Sequence, residues 1–245
     1  MVTEQLYYAD SYLQKFEATV ADVRPDGVIL DRSAFYPLGG GQPCDTGELR
    51  ANGQVWPVVA VKRQGAFIVH RLDGVAPSPG TSVRGVLDWD LRYRYMRLHT
   101  ALHALSGVVW IGWKADVTGS HIYDDGLRAR MDFSLEAVRI NELRDELERR
   151  LNDELEAARE IRAYELPRAE ALTLPDLIRT HVNLVPEHIA RIRIVEIQGL
   201  DRQADGGTHV ANTREVGRVM VTNAVNKGRI NRRLEIALVE RTDDV

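Results

Sequence analysis

Short runs of apolar and alternating residues fill the first third of the chain. Phe16-Glu17-Ala18-Thr19-Val20, Gly27-Val28-Ile29-Leu30, Val55 to Val61, Ala66 to His70 and Ser82 to Leu87 are separated by Gly, Pro, Asn and Asp, and Tyr7-Tyr8 precedes them. Many short strands at close spacing predict a small barrel or sandwich from residue 4 to about 85. The period changes near residue 88. Leu91, Tyr95, Leu98, Leu102, Leu105 and Val109 recur at alternating spacings of four and three, which predicts a helix with one buried stripe, capped by Asp88 and running to about Trp110. Asp116 to Asp125 reads as a polar turn. Leu127 to Phe133 alternates like a strand, with Arg130 and Asp132 on one face and Met131 and Phe133 on the other.

Ser134 is a predicted N-cap, with Ala137 standing where a full capping box would place Glu or Gln. Leu143, Leu147, Leu151 and Leu155 extend a predicted helix from Leu135 to about Arg162. A short helix near Glu170 to Leu172 and a turn at Val185-Pro186 follow. Ile192, Ile194 and Ile197 mark a strand, and Val216 to Val221 and Leu234 to Val239 mark the closing strands. The expected fold is α+β: a β-barrel domain over residues 1–87, then residues 88–245 with helices packed on a mostly antiparallel sheet.

Composition narrows the setting. With 245 residues, 44% of them hydrophobic, the chain can bury one large core or two small ones. It contains no long apolar run and no basic-apolar leader, so the expectation is a cytoplasmic protein without a membrane span. Cys44 is the single cysteine, which excludes an internal disulfide framework. A net charge of −4 does not advertise a nucleic-acid binder, but the charge is uneven. Arg92, Arg94 and Arg97 lead into the histidine-bearing helix, and Lys227, Arg229, Arg232 and Arg233 cluster late, a pattern compatible with gripping the end of an RNA.

The chemistry concentrates in two stretches. Arg97-Leu98-His99-Thr100-Ala101-Leu102-His103 sets His99 and His103 one helical turn apart on one face, a spacing that can hold a metal ion. Asp205-Gly206-Gly207-Thr208-His209 repeats the four-residue spacing, with the Gly pair favouring a tight loop. Either stretch alone reads as ordinary structure, a polar helix margin or a turn between strands. Together they offer three imidazoles and a carboxylate, a donor set that suits zinc better than magnesium or calcium. A zinc peptidase helix needs Glu after its first histidine, where this chain has Thr100, and the H-x-E and P-C-x-x-C elements of a nucleobase deaminase are absent.

These motifs resemble the editing domain of alanyl-tRNA synthetases and their free-standing relatives, the AlaX proteins. The resemblance rests on HTALH at 99–103 with its flanks, DGGTHVANTREVG at 205–217 and Phe35-Tyr36-Pro37-Leu38-Gly39-Gly40-Gly41-Gln42-Pro43. It extends to Gly119-Ser120-His121 with Arg130-Met131-Asp132-Phe133, and to Asn226-Lys227-Gly228-Arg229-Ile230-Asn231-Arg232-Arg233. The family usually has cysteine where this chain has Asp205, a harder ligand. The resemblance implies a translation-factor type barrel and one zinc ion per chain on His99, His103, Asp205 and His209. It implies hydrolysis in trans of mischarged tRNA(Ala), with Ser-tRNA(Ala) as the first substrate and Gly-tRNA(Ala) as the second, gripped at its acceptor end, with no DNA and no membrane involved.

Around that centre, the Gly206 and Gly207 N–H groups are candidates for an oxyanion site, and Thr100 and Thr208 for reading a serine hydroxyl. Gly40, Gly41 and Gln42 are expected to help choose the substrate, and Lys227, Arg229 and Arg232 to meet phosphates. Two mechanisms stay open: an open metal site that activates water, and a closed one that orients the substrate. The alternative function is a non-catalytic tRNA-binding module with a structural metal.

Overall fold

The computed structural model describes residues 2–136, 138–182 and 185–239, which divide between Tyr95 and Met96 into two compact units. The first begins with β1 (Glu4–Gln5) and α1 (Leu6–Ala9), so Tyr7-Tyr8, expected to be extended, sits in a single helical turn. Tyr7 is fully buried there and packs edge-on against Tyr8 and Tyr36. Six strands then close a barrel: β2 (Lys15–Arg24), β3 (Gly27–Leu30), β5 (Gly47–Ala51), β6 (Gln54–Gln64), β7 (Phe67–Leu72) and β8 (Ser82–Leu87), in the order β2-β3-β7-β6-β5-β8. Every barrel pair is antiparallel, whereas the short β4 (Arg32–Ser33) pairs in parallel with β1. Inward residues Phe16, Ala18, Val20, Leu49, Val58 and Val83 fill the core, the period-two pattern that closure requires. The sequence pattern missed β5, because Gly47-Glu48-Leu49-Arg50-Ala51 buries only Leu49.

Helix α2 (Trp89–Trp113) begins as expected, with Asp88 Oδ1 accepting from the Leu91 N–H at 3.2 Å. It runs one turn further than predicted, and from Leu98 to Val109 it is buried on every side rather than along one stripe. Its first turn carries a buried ion pair. Arg92 is fully buried and forks onto Asp45, with further bonds to the Ser11 and Ala34 carbonyls. Arg92 therefore locks the loop after β4 to the start of α2 and is not part of an exposed basic face.

In the second unit, β9 (Val117–Ile122) replaces the expected polar turn and forms a hairpin with β10 (Arg128–Ser134). Ser134 ends that strand instead of capping a helix, and the capping-box position Ala137 lies outside the described residues. The long predicted helix is shorter at both ends: α3 spans Arg144–Glu156, and β11 (Ile161–Pro167) follows. Ala158 turns the chain with φ of +54°, a stop that an Ala-Ala pair does not announce. Beyond α4 (Arg168–Ala171), β12 (Arg191–Ile197) and β13 (Asp201–Ala204) join β11 in a three-stranded antiparallel sheet. The last strands, β14 (Val219–Lys227) and β15 (Asn231–Leu238), complete a second sheet in the order β14-β15-β10-β9. Buried Leu147, Leu151 and Leu155 give α3 its packing face, and the side chains of Asn152 and Glu148 accept from the Val219 and Val221 N–H groups at the edge of β14. No helix among the described residues is long and apolar enough to cross a membrane.

Candidate metal centre

Two local structures carry the donors. Helical spacing puts His99 and His103 on one face of α2. On the other side, Asp201, Gln203 and Asp205 alternate along β13 and its continuation, so all three project from one face of the strand. Gly107 lets the helix and the strands approach closely. A Cβ at that position would fall 2.8 Å from a Leu200 side-chain atom and 2.9 Å from its carbonyl oxygen.

The chain after β13 is held firmly. The Gly207 N–H donates to Asp205 Oδ2 at 2.6 Å, closing the Asp-Gly-Gly turn. The Val210 N–H donates to Thr100 Oγ1, Arg97 Nε donates to the Val216 carbonyl, and Asn212 with Glu215 forms a capping box on the 3-10 turn Thr213–Val216. The ANTREVG stretch therefore fixes the loop rather than supplying chemistry.

His99, His103, Asp205 and His209 converge so that one ligand atom from each lies within 4.8 Å of the others. The His99 and His209 rings stack at 4.4 Å, with His103 at 4.7 Å from His209 and 5.3 Å from His99. His209 Nε2 is 3.0 Å from Asp205 Oδ2, while His99 Nε2 and His103 Nε2 stand 3.5 and 4.0 Å from Asp205 Oδ1. Tetrahedral zinc with bonds near 2.0–2.1 Å sets its ligand atoms about 3.3 Å apart, so these separations fit a zinc-sized ion with little adjustment.

The electrostatics prepare the same end. Burial holds His99 down to about 4 and His209 well below its ordinary value, so both rings are neutral near neutral pH. Burial also pushes the Asp205 carboxyl up, but the charge interaction with His99 and the bond from His209 outweigh it and hold the group well below 3.8. Neutral imidazoles around an anionic carboxylate are the protonation states a divalent cation requires. His103 goes the other way. Burial lowers it, but Asp201 and Asp205 together raise it above 6.5.

The remaining predicted residues fall into groups. Thr100 is fully buried, and its hydroxyl lies 3.2 Å from His209 Nδ1 while accepting from Val210, so it is placed to orient a histidine. The Gly207 N–H, expected as an oxyanion donor, is directed onto Asp205. Thr208 is fully buried, and Gly206 is half-buried. Gly40 and Gly41 have φ of +59° and +81° between Gly39 and Gln42, which exchange backbone hydrogen bonds. This is a tight two-residue hairpin, a conformation that glycine makes accessible. Gln42 is fully buried in the first unit. Lys227 and Arg229 are exposed at the β14–β15 turn, but Arg232 is buried and donates to the carbonyls of Val138, Gly228, Arg229 and Asn231. These four bonds make Arg232 a strut of that turn. Arg233 forks onto Asp132.

Sequence reasoning missed Asp201. It is 3% exposed, accepts from His103 Nδ1 at 2.9 Å and is itself held by Arg179 Nη1 at 2.6 Å. The only sequence signal was the period-two series Asp201, Gln203, Asp205.

Known proteins are similar to this chain over most of its length. Residues 4–91 match the family described as tRNA synthetases class II (A), and residues 192–235 match the threonyl and alanyl tRNA synthetase second additional domain. An alanyl-tRNA editing protein AlaX-M of Methanosarcina barkeri is 39% identical over 98% of this chain and 100% of its own length. The AlaX-M of Saccharolobus solfataricus is 39% identical over 95% and 98%. The alanine–tRNA ligase of Pyrococcus abyssi is 38% identical over 89% of this chain but only 24% of the ligase.

Proposed function

Because the chain belongs to the AlaX family of alanyl-tRNA editing proteins, we propose that it hydrolyses the aminoacyl ester of mischarged tRNA(Ala) in trans. Ser-tRNA(Ala) is the first substrate and Gly-tRNA(Ala) the second, with one zinc ion on His99, His103, Asp205 and His209. The observation that carries this reading is the convergence of three imidazoles and one carboxylate from a helix and a loop, with His99 and His209 neutral and Asp205 anionic near neutral pH. Held by these four residues, such an ion would supply Lewis acidity and positive charge.

The rest of the work falls to the chain. The Gly206 N–H offers a donor to the oxyanion formed as water attacks the ester carbonyl. Thr208 lies one residue before His209 and is the candidate to read a serine hydroxyl. A site that hydrogen-bonds this hydroxyl selects Ser over Ala strongly, which an apolar activation pocket cannot do by exclusion. The Gly40-Gly41 hairpin and Gln42 contribute to substrate choice, and Lys227 and Arg229 meet phosphates of the acceptor end. In this reading, residues 1–87 form the domain that carries the glycine loop, and residues 88–245 the deacylase domain.

The test is deacylation of Ser-tRNA(Ala), Gly-tRNA(Ala) and Ala-tRNA(Ala) by the purified chain. Fast loss of the first two with Ala-tRNA(Ala) spared supports the proposal. Four protein ligands also resemble a closed structural site. Tight binding of tRNA(Ala) without turnover of any of the three would therefore favour the non-catalytic module.

A further inference from the structure

His103 differs from its two neighbours in having a buried carboxylate behind it. Its Nδ1 donates to Asp201 Oδ2 at 2.9 Å, which leaves Nε2 on the side of Asp205. Asp201 is held on three more contacts. Arg179 Nη1 donates to Oδ1 at 2.6 Å, and Gln203 Nε2 donates to Oδ2 at 2.9 Å and to Oδ1 at 3.1 Å. The supports are themselves anchored. Arg179 lies 5.1 Å over the Trp110 ring and donates from Nε to the Asp176 carbonyl, and Gln203 Nε2 is 3.1 Å from Ser106 Oγ. Asp201 and Arg179 have side-chain exposures of 0% and 9%, so the pair is screened little by solvent. A buried carboxylate forked between a guanidinium and an amide is fixed in place.

We propose that Asp201, clamped by Arg179 and Gln203, is a positioning residue that locks His103 in the tautomer whose Nε2 faces the cation. An imidazole can present either nitrogen, and the partner of the second nitrogen decides which. A carboxylate behind a metal-ligating histidine fixes ring and tautomer and raises the basicity of the ligating nitrogen. The clamp also bridges the two halves of the centre, because Asp201 and Asp205 lie on one strand face while His103 belongs to α2. The inference rests on the zinc reading above but uses different readouts, so it can fail while deacylation stands, and the reverse.

The first readout is histidine 15N NMR of the wild-type chain without metal, with the pH raised until the 15N shifts themselves report a neutral His103 ring. The expected result is a His103 ring protonated on Nδ1, and protonation on Nε2 would overturn the proposal. The second is zinc affinity of the full chain by competition with a chromophoric chelator. Asp201→Asn is expected to weaken zinc binding by about 10- to 100-fold, with Asp201→Glu recovering part of the loss. Wild-type zinc affinity in a folded D201N chain would overturn it. Should D201N fail to fold, the wild-type tautomer decides alone.

Discussion

In the barrel, His70 is fully buried with both ring nitrogens engaged by neutral partners. Nδ1 donates to the Val28 carbonyl at 3.3 Å, and Nε2 accepts from the Ser33 hydroxyl at 2.7 Å. In the second unit, His99, His103 and His209 are about as deeply buried, but their rings crowd to within 5.3 Å of one another around a single carboxylate. The barrel histidine is a satisfied polar element of a core, and nothing further is needed to explain it. The three clustered rings and their carboxylate form a group that could hold a cation. What separates a site histidine from a core histidine is therefore the direction of the nitrogen left over once its outer partner is engaged. His103 has Asp201 behind it and His209 has Thr100, so both present Nε2 to the same point.

The largest effect should come from the cluster. Replacing His99, His103 and His209 together with Ala is expected to remove bound zinc and slow deacylation by about 1,000-fold or more. Zinc content by elemental analysis and single-turnover deacylation check this, and an unchanged zinc content would break the comparison. In the first unit, Asp45→Ala should cost about 3 to 5 kcal/mol of stability, because it strands the buried Arg92 guanidinium. Urea unfolding measures the loss, and a loss within experimental error would show that the pair does not hold the loop.

The pH dependence sharpens the contrast further. Burial holds His70 at about 4, against an ordinary 6.5. The unfolded chain thus takes up a proton that the folded chain refuses. Its contribution is fully present above pH 6.5 and is lost as pH falls toward 4, by about 3 kcal/mol. Unfolding midpoints across that window should show this slope together with the parts from His99 and His209, which burial also holds down, and His70→Gln should make it shallower. A slope unchanged by H70Q would assign the acid sensitivity elsewhere. The smallest effect is expected from Lys227→Ala and Arg229→Ala, each raising KM a few-fold and weakening the salt dependence while leaving kcat nearly unchanged. A loss confined to kcat would contradict a phosphate-contact role.

Much of this was legible in the sequence, for identifiable reasons. The His99–His103 pair and the Asp205–His209 pair shared one four-residue spacing, the second around a double glycine, and alternating runs announced most of the barrel. Three features were hidden. β5 has a single fully buried residue, Leu49, so it carries no pattern. The α3 overrun came from leucines at helical spacing and an Ala157-Ala158 pair with good helix propensity, although Ala158 turns left-handed. Arg92 and Arg232 counted as basic residues but are buried against a carboxylate and carbonyls, and composition cannot register that. Asp201 was hidden because its partner His103 lies 98 positions away.

The central claim is that the four clustered donors hold a cation on which editing depends. The most direct measurement reads zinc per chain and Ser-tRNA(Ala) deacylation on one preparation, as purified, after chelation and after zinc is restored. The account predicts one zinc per chain, activity that falls with the zinc and returns with it, and no such recovery in the triple histidine variant. Full activity in a chain stripped of metal would contradict it.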